Sequence, residues 1–251
     1  MRATAMEFRL RMLINTVIIF LGFWAPWART WGPSLAFAPR VSLLEWLALN
    51  LSRLGIFSFA AAAPVVIACA ALLAGVGAIL RIWGTAYMGT GTVHSLAMKA
   101  GAVTADGPYR YVRNPLYLGL WFMAAALAFL MPPTGALVAM ILITVFQLRL
   151  ILGEEAFLAE QLGEAYLAYK RSVPRLFPRL RGAPPPAGQR AHWLRSAMSE
   201  LTPIGVFVAL AFFSWSYDNR LMIRAILISF GLSLVVRALM PGIPAGRPSE
   251  G

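Results

Sequence analysis

From Asn114 to Leu148 the chain carries no charged residue, and this run limits the possible folds more than any other feature. It is longer than the roughly 20 apolar residues that one helix needs to cross hydrocarbon. Met131-Pro132-Pro133-Thr134 interrupts it near the middle, where proline removes a backbone donor and pushes the residue before it out of the helical region. The run therefore reads as two antiparallel helices joined by a tight turn. Further uncharged stretches flank it. Met12 to Ala28, bracketed by Arg11 and Arg29, gives roughly 26 Å of helix. Ala60 to Leu80 ends at Arg81 and Trp83, with Pro64 in its first turn, where a missing N–H costs little. Leu201 to Tyr217 lies between Glu200 and Asp218. Leu221 to Met240 carries Arg224 and Arg237 near its ends, where long basic side chains reach the interface. The expectation is an all-α, polytopic transmembrane helical bundle of about five or six spans. Arg2, Arg9 and Arg11 ahead of an apolar stretch also suit a signal peptide. No small-x-small cleavage site follows before Trp24, Trp27 and Trp31, and these tryptophans fit an interfacial belt.

Composition separates two explanations of the net charge of +12. In a soluble protein such a balance would point to nucleic acid, but 59% of residues are hydrophobic and 13% charged, against about 25% charged in soluble domains. A membrane accounts for the bases, and no nucleic-acid partner is expected. Two histidines and the single cysteine, Cys69, exclude a disulfide framework and argue against a zinc site. The bases concentrate in Lys170 to Arg195, at Arg110 and Arg113, and at Arg2, Arg9 and Arg11, so the positive-inside rule places these regions in the cytoplasm. That arrangement holds if Val41 to Phe59, with Glu45, Asn50 and Arg53, lies in the interface rather than crossing.

Two polar segments border the central hairpin. One runs from Trp83 to Asn114, with Gly84-Thr85-Ala86-Tyr87-Met88-Gly89-Thr90-Gly91 and then Asp106-Gly107-Pro108-Tyr109-Arg110-Tyr111-Val112-Arg113-Asn114-Pro115. The other starts at Gly153-Glu154-Glu155, continues as a helix through Tyr166 and Tyr169, and ends in Val173-Pro174-Arg175-Leu176-Phe177-Pro178. Because the hairpin helices are antiparallel neighbours, Asn114 and Glu154 emerge at one membrane face. Arginine, asparagine, tyrosine and paired glutamates then meet at a lipid interface, where bare acids are costly.

Residues 106–119, Glu154-Glu155, Tyr166-x-x-Tyr169 and Val173-Pro174-Arg175 together resemble the isoprenylcysteine carboxyl methyltransferases, in the superfamily that includes the phospholipid N-methyltransferases. The likeness covers about Arg81 to Pro178. It implies an integral-membrane methyltransferase that binds S-adenosylmethionine at the cytoplasmic face and methylates a lipid or a lipidated substrate from the bilayer. No G-x-G-x-x-G joins a strand to a helix, so a Rossmann methyltransferase is not expected. Carboxyl methyltransferases usually have Arg-His-Pro where this chain has Arg113-Asn114-Pro115. Asn-Pro is similar to the phospholipid N-methyltransferases, as are Gly84-Thr85 and Glu154-Glu155.

Methyl transfer from a sulfonium is an in-line displacement, so the protein must align donor and acceptor and exclude water. On the resemblance, Glu154, Glu155 and Arg113 are the candidate catalytic residues. Tyr109, Arg113, Asn114, Pro115, Tyr117, Gly119, Glu154 and Glu155 are the candidate cofactor contacts. The two glutamates could hold the ribose hydroxyls or the positive charges of the cofactor, or simply mark the interface. They differ by about 100° around a helix, so different jobs are expected of them. Asn114 suits an N-cap with Pro115 at N1, and free amides at a helix start also suit a carboxylate. Arg113 could pair with that carboxylate or act as a positive-inside anchor. Tyr117, three residues after Asn114, shares its helical face. Gly119 allows close approach of another helix or of the cofactor, and Gly89 with Gly91 could form a tight turn beneath it. Tyr166, Tyr169 and Arg175 could close the site as a lid or form the faces of an interfacial helix. His94 and His192 receive no role.

Organisation follows from these segments: 1–59 as an N-terminal span and interfacial helix, and 60–178 as the methyltransferase core. Residues 179–200, with Pro184-Pro185-Pro186 and arginines, form a basic linker attracted to anionic lipid headgroups, and 201–251 an accessory hairpin. A phospholipid amine must lose a proton before it attacks, whereas a prenylcysteine carboxylate is already a nucleophile. Both acceptors stay open. A scaffold or lipid transporter on the same fold is the alternative from another class, although transport predicts ionisable groups in mid-bilayer.

Overall fold

The computed structural model describes residues 2–24, 41–89, 92, 103–179 and 181–239. Among them there are helices and no strand. Gly91, His94, Trp27 and Trp31 lie outside the described residues. In chain order the α-helices are α1 (Ala5–Arg9), α2 (Arg11–Trp24), α3 (Leu43–Arg53), α4 (Phe59–Met88), α5 (Pro115–Ala128), α6 (Pro133–Ser172), α7 (Trp193–Ser199), α8 (Leu201–Ser216) and α9 (Asn219–Leu239). A 3-10 turn at Gly107–Arg110 precedes α5.

The long uncharged run is the hairpin α5–α6, turned at Met131-Pro132 with Pro133 at the start of α6. Three helices, α4, α6 and α9, are long and apolar enough to cross a membrane, and α7 with α8 makes a further candidate bent by 71°. The 14-residue helices α2 and α5 are apolar but, at about 21 Å each, shorter than the hydrocarbon core. Helix α3, at about 16 Å, is also too short to cross. A capping box between Ser42 and Glu45 starts α3, and the Leu43 and Leu44 amides donate to the Met131 and Phe129 carbonyls at the hairpin turn.

Two apolar clusters form. Val66, Ile67, Met123, Val206, Leu210 and Phe213 join α4, α5 and α8; Phe8, Ile18, Met131, Ile143 and Leu150 join α1, α2 and α6 to the hairpin turn. Glycine sets the crossing of α4 on α5. A Cβ on Gly77 would stand 2.8 Å from the Gly119 carbonyl oxygen, and one on Gly119 would stand 2.9 Å from the Gly77 oxygen and 2.7 Å from Cγ of Arg81. Of the two readings of Gly119, helix approach is therefore the one observed, as expected where small residues let helix backbones meet. Gly119→Ala is expected to destabilise the protein by about 1–3 kcal/mol, as overpacking does. Thermal unfolding in detergent checks this, and an unchanged midpoint would refute the crossing.

Helix α6 departs from the sequence reading. Instead of continuing smoothly through Tyr166 and Tyr169, it breaks at Gly163, where φ is 56° and ψ −135°. Only glycine adopts such a conformation readily. The break lets 164–172 turn back over the polar end of α5.

Candidate functional site

The Asp106–Pro115 segment carries the first group of site residues. Gly107 opens its 3-10 turn at φ 56°, and a Cβ there would overlap the Tyr87 ring at 2.4 Å. The turn buries Tyr109, whose hydroxyl meets Met88 Sδ at 3.6 Å and whose carbonyl accepts from Tyr169 Oη at 2.8 Å. Burial holds the Tyr109 phenol well above its ordinary pKa, so it stays neutral. The Arg113 amide donates to the Pro174 carbonyl at 2.9 Å, and its Nη1 to the Lys170 carbonyl at 2.5 Å. These bonds place 169–175 against the start of α5.

The paired glutamates make different contacts. Glu155 is 2% exposed. Its carboxylate accepts from Arg175 Nε at 3.1 Å and Nη2 at 2.8 Å, from Asn114 Nδ2 at 3.3 Å, and lies 3.1 Å from Arg113 Nη2. The carboxylate hydrogen bond in turn raises the Arg175 pKa above its ordinary value. Its oxygens are thus taken by this chain's own side chains. Asn114 occupies the N-cap position of α5 but its side chain caps nothing, because it is turned to Glu155 and to the Arg175 carbonyl. Arg175 closes on Glu155 and does not line the cavity below.

Glu154 faces a cavity. Tyr117 Oη donates to its Oε2 at 2.9 Å, and both residues line a pocket bounded by α2, the end of α4, the start of α5 and the broken half of α6. Tyr109, Arg113, Asn114, Pro115, Glu155, Tyr166 and Tyr169 are also in its wall, so most of the residues singled out by motif meet there; Gly119 packs against α4 instead. The Tyr166 and Tyr169 rings meet on one side, their centroids 6.0 Å apart and their planes tilted by 50°.

Sequence reading missed Arg11, Asn15 and Arg81, which also line the cavity. They were noted only as span borders or not at all, and the pairing of span ends is what brings them in. It also missed Glu200, whose buried carboxylate takes Arg81 Nε at 2.7 Å, Arg81 Nη2 at 3.0 Å and Thr85 Oγ1 at 2.9 Å. The spacing of Arg81 and Thr85 by four residues on one helix was the available hint. The stretch read as a linker makes defined contacts: Asp106 accepts from the Ala187 and Gln189 amides at 2.8 and 2.7 Å, and Arg110 Nε donates to the Pro184 carbonyl at 2.7 Å.

The donor set suits S-adenosylmethionine. Leucines from two helices, 116 and 120 on α5 and 150, 158 and 162 on α6, supply an apolar surface for an adenine ring, and the Glu154 carboxylate can accept from hydroxyl or ammonium groups. Arg113 Nε and Asn15 Oδ1 are buried with no partner among the described residues, which leaves one donor and one acceptor for a zwitterionic ligand. Among the described residues no group of histidine, cysteine and acidic side chains could hold a metal.

Residues 65–165 match the phospholipid methyltransferase family, which belongs to the isoprenylcysteine carboxyl and phospholipid methyltransferase superfamily that the motifs resemble. The match spans α4, α5 and α6 as far as the turn after Gly163, so Tyr166, Tyr169, Arg175 and Glu200 lie beyond it. No curated protein and no solved structure matches the chain.

Proposed function

We propose that this protein transfers a methyl group from S-adenosylmethionine to the amine nitrogen of a phospholipid-like acceptor at the cytoplasmic face. The observation that carries this reading is the unequal use of the paired glutamates. Glu155 is spent on Arg113, Arg175 and Asn114, whereas Glu154, which accepts from Tyr117 and has Arg11 nearby, is outside that cluster and faces the cavity. Glu154 gives the wall a carboxylate that attracts an ammonium, while Arg11, Arg81 and Arg113 in the same wall suit the anionic groups of a cofactor or phospholipid. The family match on the phospholipid branch and the Asn114-Pro115 pair support the same choice.

S-adenosylmethionine, when bound, supplies an electrophilic methyl on a good leaving group. The chain's own residues do the rest. Glu154 is placed to take the proton that frees the amine lone pair, while Tyr117, donating to Oε2, orients the carboxylate. Arg113 and the free amides at the start of α5 suit the cofactor carboxylate. The Tyr166–Tyr169 pair covers the polar end and limits water.

The cytoplasmic placement rests on charge. The cavity end of the bundle gathers Arg11, Arg81, Arg110, Arg113, Arg149 and Lys170, as the positive-inside rule requires of that side. Ionisable side chains collected at this end also disfavour a transporter, which would need them at mid-bilayer.

Purified protein in nanodiscs is expected to bind S-adenosylmethionine in calorimetry. With labelled cofactor it is expected to methylate a lipid amine such as phosphatidylethanolamine in preference to a prenylated cysteine analogue. Folded protein that fails to bind would overturn the enzyme reading, and preferential labelling of the prenylcysteine would overturn the acceptor.

A further inference from the structure

Glu200 lies outside residues 65–165 and outside every motif of the resemblance, yet it is fully buried beside the cavity. It sits at the elbow between α7 and α8, ending one helix and starting the next across the 71° bend. The bend brings its carboxylate onto α4. There it meets Arg81 along one edge of the guanidinium, Nε and Nη2, and also accepts from Thr85. Two further bonds seat α7 along the same stretch of α4: Ser196 Oγ donates to the Ile82 carbonyl, and the His192 amide to the Ala86 carbonyl at 2.9 Å.

Arg81 is itself a wall residue of the cavity, its stem passing over Gly119 where a Cβ would block it. Guanidinium groups bind through a rigid planar fork, so a carboxylate on one edge fixes the direction of the other. Among the described residues Arg81 Nη1 has no acceptor. Arg81 thus joins α4 to the α7–α8 elbow and lines the cavity at once.

We propose that Glu200 is a positioning residue that holds Arg81 at the cavity wall so that its second edge takes an oxygen anion of a bound ligand, making the C-terminal helices part of the transferase site. This rests on the methyl-transfer reading of the cavity. Two ligands would bring such a group, the cofactor through its carboxylate and a phospholipid through its phosphodiester.

The test uses the full chain in nanodiscs, with S-adenosylmethionine binding followed by calorimetry and transfer followed with phosphatidylethanolamine vesicles. Glu200→Gln and Arg81→Lys are each expected to weaken one ligand by about tenfold, seen as a rise in Kd or KM larger than any fall in kcat. Arg81→Gln/Glu200→Gln, which removes both charges, is expected to regain the wild-type melting temperature without regaining affinity. Decarboxylated S-adenosylmethionine separates the sources. If the cofactor carboxylate is the ligand, wild type binds this analogue as weakly as the variants do. If the phosphodiester is, cofactor Kd is unchanged and only the vesicle KM rises. Wild type that binds no cofactor would overturn the methyl-transfer reading and this inference together. Wild type that binds, with Arg81→Lys and the double variant folded and unchanged in both constants, would overturn this inference alone.

Discussion

Replacing Glu155 by alanine is expected to cost about 3–5 kcal/mol of stability, the range for removing one partner of a buried ion pair. The reason lies in what the change leaves behind. Arg113, 7% exposed at its side chain, would keep its charge with no carboxylate beside it, and Arg175 and Asn114 would lose the group that draws them onto the start of α5. Because the same carboxylate ties 114 to 175, the 169–175 segment is expected to detach as well. A large fall in the melting temperature in detergent, together with new protease cleavage after Gly163, would show it. Arg175→Ala should cost less, because Arg175 is 37% exposed and its charge can be solvated in the wild type. The double change Arg113→Met/Glu155→Met should recover much of the loss, since replacing a buried pair by apolar groups is often neutral. A Glu155→Ala protein that melts with the wild type would refute the keystone role.

Glu154→Gln is expected to behave in the opposite way, keeping the fold and losing transfer by about 10²–10⁴-fold, the range for a general base. Glutamine preserves the shape and can still accept from Tyr117, so the expected melting temperature is close to that of the wild type. Tyr117→Phe should show a smaller loss, because it removes the orienting bond and leaves the carboxylate. Initial rates of labelled methyl incorporation at saturating cofactor measure both. Full activity in Glu154→Gln would remove the proton-accepting role and with it the main reason for preferring an amine acceptor. The two neighbouring glutamates thus carry separable predictions, one read in stability and one in turnover.

How much of this was legible beforehand differs between fold and site. The hairpin α5–α6 follows from an uncharged run broken by consecutive prolines, a pattern with one physical solution in a bilayer. The interfacial reading of 41–59 came from the distribution of bases under the positive-inside rule, and the structure gives that segment an 11-residue helix, α3. The site residues were reached through the resemblance of their motifs to a known family, and the structure brings Tyr109, Arg113, Asn114, Tyr117, Tyr166 and Tyr169 to one cavity. The assignment of jobs within that set was not legible. Adjacent glutamates on a helix differ in direction and both reach the cavity wall, but which of them is tied into a salt-bridge cluster depends on how α6 is rotated against α5. The break at Gly163 was equally hidden, since a glycine within a helical pattern does not announce a positive φ.

The sequence by itself determined an all-helical membrane chain, the pairing of its central helices and the end at which polar chemistry collects. Each follows from local rules: charges avoid hydrocarbon, prolines end helices, and antiparallel neighbours bring their adjoining ends together. Only the tertiary structure decided that Glu155 is tied into the salt-bridge cluster while Glu154 is outside it, that Arg81 faces the cavity, and that Glu200, 119 positions along the chain from Arg81, holds it there. Those outcomes depend on helix rotation, on crossings set by Gly77 and Gly119, and on a 71° elbow. They are contacts between surfaces far apart in sequence, and no local pattern of residues encodes them.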